Sequence, residues 1–323
     1  MRQRQIPSAA NSSELSLAVL RSNGAEPSMP ELLRYRGRPL PLPIPIRQGS
    51  VMQSGHKVSR FRGRGMEFDE VRHYQPGDDI RAIDWRVTAR TGKTHTKLFR
   101  EETERPLFLC VDYGQSMVFG SQFLYKSVQA AHIAAGITWY GVQRGDRVGG
   151  LIFNAGGHYE LKPQGRQHGA LMLLKQLVAM HPPTPQHFSE HQPRDSFVTQ
   201  LQRLHRLCRP GADVVIISDF SELSEESIDL LRGLKRHHAV TAILVEDPME
   251  LALPSDKRGH VRLYDGTKPH SVELANPHYA QAWQKRAEQW RAERIQQLHR
   301  ASLQAHSISA AYPVADQWHE VRR

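Results

Sequence analysis

Asp112, Ser116 and Asp219 are the residues of this 323-residue chain whose types and placement could do chemistry. Leu107, Phe108, Leu109, Cys110 and Val111 form a continuous apolar run, which suits a strand buried on both faces of a mainly parallel sheet. Asp112 closes that run, and a second run, Ala212 to Ile217, closes in Ser218 and Asp219. In open α/β sheets ligands bind outside the carboxyl ends of the strands. If the two strands are neighbours, both carboxylates converge on one crevice, with Ser116 as a third oxygen. Two carboxylates and a hydroxyl are hard donors of the kind Mg²⁺ selects. The alternative use of each aspartate is to cap the helix that follows its strand.

The elements needed to hold such a crevice are legible around it. Helices are expected over Gln122 to Gln143, Gln167 to Met180, Phe197 to Arg209 and Ser224 to His237, with strands at Arg147 to Phe153 and Val240 to Glu246 between them. Tyr159 to Leu161 reads as an antiparallel edge. This alternation predicts a doubly wound, mainly parallel α/β domain over 104–323, ending in a hairpin (Val261 to Tyr264, Ser271 to Leu274) and a long helix from Pro277 to about His306. Ahead of it, 56–103 predicts a small β-containing subdomain with strands at Arg86 to Ala89 and Thr94 to Arg100. Residues 1–55 read as an arm, loosely docked over the first 30 residues. Pro39, Pro41, Pro43 and Pro45 alternate with apolar residues there, which predicts an extended segment laid across an apolar surface.

Composition narrows the function classes. Cys110 and Cys208 are the only cysteines, too few for a disulfide framework, so a reducing cytoplasm is the expected setting. Leu15 to Leu20 is too short for a signal peptide, and no window reaches the roughly 20 apolar residues of a membrane helix. The net charge of +10 lies in the flanks of the chain. Arg47, Lys57, Arg60, Arg62 and Arg64 follow one another with no acid between them, which suits either a solvated arm or contact with nucleic acid or an acidic protein. No nucleic-acid reader motif accompanies that charge. His181, His187 and His191 lie in a Pro-rich stretch without the tight pairs of zinc sites and read as surface histidines.

The text from Arg62 to Trp85, RGRGMEFDEVRHYQPGDDIRAIDW, interleaves acids, arginines and apolar residues. Arg62, Arg64, Glu67, Asp78, Asp79, Arg81, Asp84 and Trp85 are its candidate partner-binding residues. The other reading of these charges is internal ion pairing, since buried carboxylates require partners. An enzyme reading would make Asp112 the nucleophile of Mg²⁺-dependent phosphoryl transfer, with Asp219 on the metal. It fails on spacing, because Gly114 stands where the Asp-x-Asp-x-Thr pattern of haloacid dehalogenases has its general acid. Ser116 lacks the glycine at Val118 that a nucleophile elbow needs, and no Gly-rich phosphate loop occurs. No catalytic residue is therefore expected.

RGRGMEF, DEVR, YQPGDD, IDW and TARTGK, followed at once by the aspartate-ended strand, resemble the family called domain of unknown function 58. Many of its members carry N-terminal membrane helices, and this chain looks like the short, soluble kind. The resemblance implies a von Willebrand factor A-like domain with an extra N-terminal subdomain, commonly encoded beside AAA+ ATPases of the MoxR type. It also implies a metal-ion-dependent adhesion site of the pattern Asp-x-Ser-x-Ser with a later Asp. Asp112, Ser116 and Asp219 match that pattern, while Gly114 replaces the middle serine and implies weak Mg²⁺ binding. Thr184, Asp195 or Ser196 would supply the loop ligand. The function implied is that of a non-catalytic, chaperone-like adaptor joining a client protein to the ATPase.

Overall fold

In the computed structural model, residues 17, 18, 20, 22–42, 66–101, 106–182, 196–254, 259–264, 269–274 and 276–321 are described. Met1–Pro45 belongs with Arg105–Arg323 in one unit, and Ile46–Glu104 forms a second. The larger unit includes helix α1 (Met29–Leu33). The smaller unit pairs β1 (Met66–His73) antiparallel with β2 (His95–Glu101), with a bulge between Phe68 and Glu70.

Arg86 to Ala89, expected as a strand, is instead part of helix α2 (Trp85–Thr91). Local capping decides this. The Asp84 carboxylate accepts from the backbone N–H groups of Arg86 at 3.0 Å and Val87 at 3.1 Å, and Gly92 ends the helix at φ 67. The strand expected at Thr94 to Arg100 exists as β2, but its partner is β1.

The larger unit is built on a six-stranded sheet. Its strands are β3 (Pro106–Tyr113), β4 (Arg147–Asn154), β5 (Gly157–Gln164), β6 (Asp213–Ser218), β7 (Ala239–Glu246) and β10 (Ala305–Ser309), in the order β10-β7-β6-β3-β4-β5. All pairings are parallel except β4 with β5. Between β7 and β10 lie a hairpin of β8 (His260–Tyr264) with β9 (Pro269–Glu273) and a long helix.

The strands are buried on both faces, and successive residues serve different cores. Leu107, Leu109 and Val111 face one core with α1, α3 (Lys126–Gln143), α4 (Arg166–Ala179) and Trp318 of α9 (Val314–Val321). Phe108 and Cys110 face the other, with α5 (Phe197–Leu207), α6 (Glu225–His237) and Leu298 of α8 (Pro277–Arg300). The fold class is therefore α/β, a mainly parallel sheet flanked by helices.

Over its described residues the Pro-rich segment lies on an apolar surface as expected, while the separateness of the arm and the length of the terminal helix depart from the sequence reading. Tyr35, Leu40 and Leu42 of the expected arm are buried in the first core, and the Leu40 N–H donates to Gly136 O at 3.0 Å. The cause is a slot in α3, because a Cβ on Gly136 would lie 2.4 Å from Leu40. The terminal helix stops at Arg300, where Ser302 turns at φ 62, and β10 then adds a strand beside β7. Trp318 closes this end by donating its indole N–H to Pro41 O at 2.7 Å.

Candidate functional site at the strand ends

β3 is flanked by β4 on one side and β6 on the other, so the chain reverses its winding direction there. In open α/β sheets the crevice for a ligand lies at this reversal, outside the carboxyl ends. Val111 pairs with Ile217, which sets Asp112 beside Ser218. The Ser218 hydroxyl donates to Asp112 Oδ2 at 2.5 Å, and the Gly114 N–H donates to Oδ1 at 2.7 Å. Burial, and then the charge of Asp219, push the Asp112 carboxyl up to about 7 in spite of these bonds.

The β6 end is a tight turn. Phe220 is non-glycine at φ 52, a conformation that costs on the order of 1–3 kcal/mol and persists only where surroundings impose it. Here the Phe220 N–H donates to Ser218 Oγ at 2.9 Å, the Ser221 N–H to Asp219 Oδ1 at 3.0 Å, and Arg294 Nη1 to Asp219 O at 2.7 Å.

Behind the crevice sits Lys126, the first residue of α3, with its side chain wholly buried. Its ammonium donates to Asp219 Oδ2 at 2.8 Å and to Glu250 Oε1. A helix N-terminus is the positive end of the macrodipole, so a cation there is disfavoured and needs carboxylates to hold it. Burial works against the charge on Lys126, but Asp219 and Glu250 outweigh it and leave the pKa raised. Burial likewise opposes ionisation of Asp219, and Lys126 overcomes it to hold the carboxyl at about 2. Burial shifts Glu250 upward, against the pull of Lys126. Asp247, fully buried at the end of β7, accepts from the Ser121 N–H at 2.9 Å and hydroxyl at 2.5 Å, tying down the loop that leads into α3.

The structure brings Asp112, Ser116 and Asp219 to one place, with different duties. Ser116 is exposed, lies 3.1 Å from Ser221 Oγ and also hydrogen-bonds Asp219. A cleft of about 20 Å³, room for about one water, is lined by Asp112, Gly114, Ser116, Phe153, Ser221 and Glu222 among others. The expected ion fits this donor set poorly. Lys126 already neutralises Asp219, and a divalent ion about 4 Å from that ammonium would be repelled by about 8 kcal/mol at an effective dielectric near 20. A Cβ on Gly114 would lie 2.9 Å from Asp112 Oδ1, so a serine there would displace Asp112. Among the described residues no group of three or more His, Cys, Asp and Glu is placed to hold a metal.

The remaining candidates separate into structural and exposed groups. Thr184, Asp195, His187 and His191 lie outside the described residues, as do Arg62 and Arg64. Ser196 caps α5 by accepting from the Thr199 N–H at 3.3 Å. His181 lies 2.8 Å from Ser127 Oγ and edge-on to Tyr113. In the smaller unit Asp78 pairs with Arg72 at 2.7 Å, Asp79 accepts from the Arg81 N–H at 2.9 Å, and Asp84 caps α2 and meets Lys97 at 3.6 Å. Glu67 lies in β1. These three aspartates hold the unit together, whereas Trp85 and Ile80 are 66% and 65% exposed.

Lys126, Glu250, Asp247 and Arg294 are the site's supporting residues that the sequence reading passed over. The available signal was a lone lysine opening an otherwise uncharged, apolar helix.

Fold and strand-end crevice define an α/β protein whose family is shown by its sequence. Residues 70–294 match the family described as "Protein of unknown function DUF58", and the chain belongs to it. An uncharacterized protein of Mycobacterium bovis, Mb1516, is 33% identical over 238 residues, covering 73% of this chain and 71% of that protein. The uncharacterized protein Rv1480 of Mycobacterium tuberculosis matches to the same extent, 33% over 238 residues. Among solved structures, a conserved hypothetical protein BatB from Bacteroides thetaiotaomicron aligns with a TM-score of 0.41 at 13% identity, covering 68% of this chain and 96% of that one. An aerotolerance-related membrane protein from Bacteroides fragilis aligns with a TM-score of 0.38 at 12% identity, covering 61% and 98%. Among the described residues no helix is long and apolar enough to cross a membrane.

Proposed function

We propose that the chain is a non-catalytic protein-binding adaptor of von Willebrand factor A type, working with a MoxR-type AAA+ ATPase on a client protein. The observation that carries this reading is the crevice at the winding reversal, where both Asp112 oxygens are held by Ser218 and Gly114. A carboxylate so engaged is placed to shape a surface rather than to attack a phosphorus. Ser116 lies at the exposed mouth with another hydroxyl, Ser221, as its neighbour, so the mouth offers hydrogen bonds to a partner. Exposed Trp85 and Ile80 give the smaller unit an apolar contact of the kind that anchors protein interfaces. Arg62 and Arg64 supply a basic stretch to steer an acidic partner.

The test is a pull-down with a purified MoxR-type ATPase and from native lysate, using wild type, Asp112→Ala, Trp85→Ala and the pair Arg62→Glu with Arg64→Glu. An adaptor loses a defined partner in one or more of these variants while its fold persists. Nucleic acid that co-purifies and is lost only with the arginine changes would move the function to a nucleic-acid reader. Hydrolysis of a phosphate ester in Mg²⁺ that Asp112→Ala abolishes would replace the adaptor by an enzyme.

A further inference from the structure

The adhesion site implied by the sequence needs carboxylate and hydroxyl oxygens turned toward an ion at about 2 Å. In this chain they are turned elsewhere. Asp219 gives Oδ2 to the Lys126 ammonium at 2.8 Å and Oδ1 to the Ser221 N–H at 3.0 Å. Asp112 gives Oδ2 to Ser218 and Oδ1 to Gly114, at 2.5 and 2.7 Å. A serine at position 114, the residue type that would add an oxygen, would place its Cβ 2.9 Å from Asp112 Oδ1, so the Asp112 carboxylate would have to leave its present position to admit it.

Lys126 is independently anomalous. Its side chain is 0% exposed, it lies at the positive end of its own helix, and it is held there by Asp219 and by Glu250 from the segment after β7. Glu250 is itself fixed, accepting from the Asp247 N–H at 3.1 Å while Asp247 holds Ser121. The ends of β6 and β7 and the start of α3 are thus drawn together around one ammonium. That is the work a bound cation would do in joining loops at such a crevice.

We infer that Lys126 is the resident cation of the strand-end crevice and that the crevice binds its partner without a divalent metal. The inference deepens the adaptor reading, on which it rests for what the crevice is for. It also changes what the partner presents. A bound metal would keep a coordination position open for a partner carboxylate, whereas a wholly buried ammonium offers none. The cleft is lined instead by Asp112, Gly114, Gln115, Ser116, Ser221 and Glu222, with no lysine or arginine among its lining residues. That lining offers a partner hydroxyl and amide groups and no cation.

The experiment is a titration of the full chain, without partner, with MnCl₂ followed by electron paramagnetic resonance, and with MgCl₂ followed by thermal unfolding. Wild type is expected to show no saturable Mn²⁺ binding up to roughly 10 mM and no Mg²⁺-dependent rise in Tm. Lys126→Gln frees Asp219 and Glu250 and is expected to gain Mn²⁺ affinity at least about tenfold, with a Tm that now rises in Mg²⁺. Saturable micromolar Mn²⁺ binding by wild type that Asp219→Asn abolishes overturns the inference. So does a folded Lys126→Gln that gains nothing. The wild-type titration is decisive even if Lys126→Gln fails to fold. Because no partner takes part, its outcome is separate from that of the pull-down on which the adaptor reading stands.

Discussion

Lys126 concentrates the energetics of the site in one side chain. Removing one member of a buried, hydrogen-bonded ion pair leaves the other charge uncompensated, at a cost of about 3–5 kcal/mol. Lys126→Met should therefore destabilise the larger unit by roughly that amount, read as a fall in the urea midpoint at unchanged slope. Asp219→Asn in the Lys126→Met background should recover part of the loss, because the stranded carboxylate is then gone. His181 sets a second residue-level expectation. Burial holds its imidazole at about 4 rather than 6.5, so the folded state favours the neutral ring bonded to Ser127. Its contribution to stability is present above pH 6.5 and is lost as pH falls through about 4. Tyr113 and Glu26 are the titratable groups acting on it, and Glu26 favours its charged form. In urea unfolding at a series of pH values, His181→Gln should show a shallower fall than wild type between pH 7 and pH 4. Equal slopes would contradict this assignment. The two aspartates were legible in the sequence because each closes an apolar strand. Lys126 was not, because its partners lie far along the chain in Asp219 and Glu250, and only the folded sheet brings them to it.

At the scale of elements, α3 shows how the core is organised. It is buried nearly all round, facing the sheet on one side and the N-terminal segment on the other, and its alanines and Gly136 let both approach. Gly136→Ala should push Leu40 out of its slot at a cost of about 1–3 kcal/mol and expose the segment around Pro39–Pro41 to limited proteolysis. That penalty should largely vanish in a Leu40→Ala background, and a double-mutant cycle showing full additivity would exclude the contact. The strands and helices of the sheet were legible from periodicity, since apolar runs of strand length alternate with amphipathic helices such as α5 and α6. Several elements escaped it, β1 and α9 among them. Arg86 to Ala89 contains no breaker and passes for a strand, but Asp84 and Gly92 are a helix start and stop that outweigh it. β10 escaped because Ala305 to Ser309 is short and polar, and joins the sheet through backbone pairing with β7.

At the scale of the molecule, the chain is two units with separate resources. The larger carries the winding-reversal crevice, and the smaller carries the exposed Trp85 at the start of α2, in a unit braced by Asp78, Asp79 and Asp84. On the proposed adaptor reading, binding through the crevice is expected whether or not divalent metal is supplied. The most direct test is the affinity of the full chain for the partner recovered by pull-down, measured calorimetrically for wild type and Ser116→Trp in the presence of chelator. Ser116 is exposed at the mouth of the cleft, so an indole there covers the mouth from the solvent side. The account predicts an unchanged Tm, wild-type affinity that survives the chelator, and a loss of affinity of at least about tenfold, roughly 1.4 kcal/mol, in Ser116→Trp. Wild-type affinity in Ser116→Trp would contradict it, because the partner would then be bound somewhere other than the crevice.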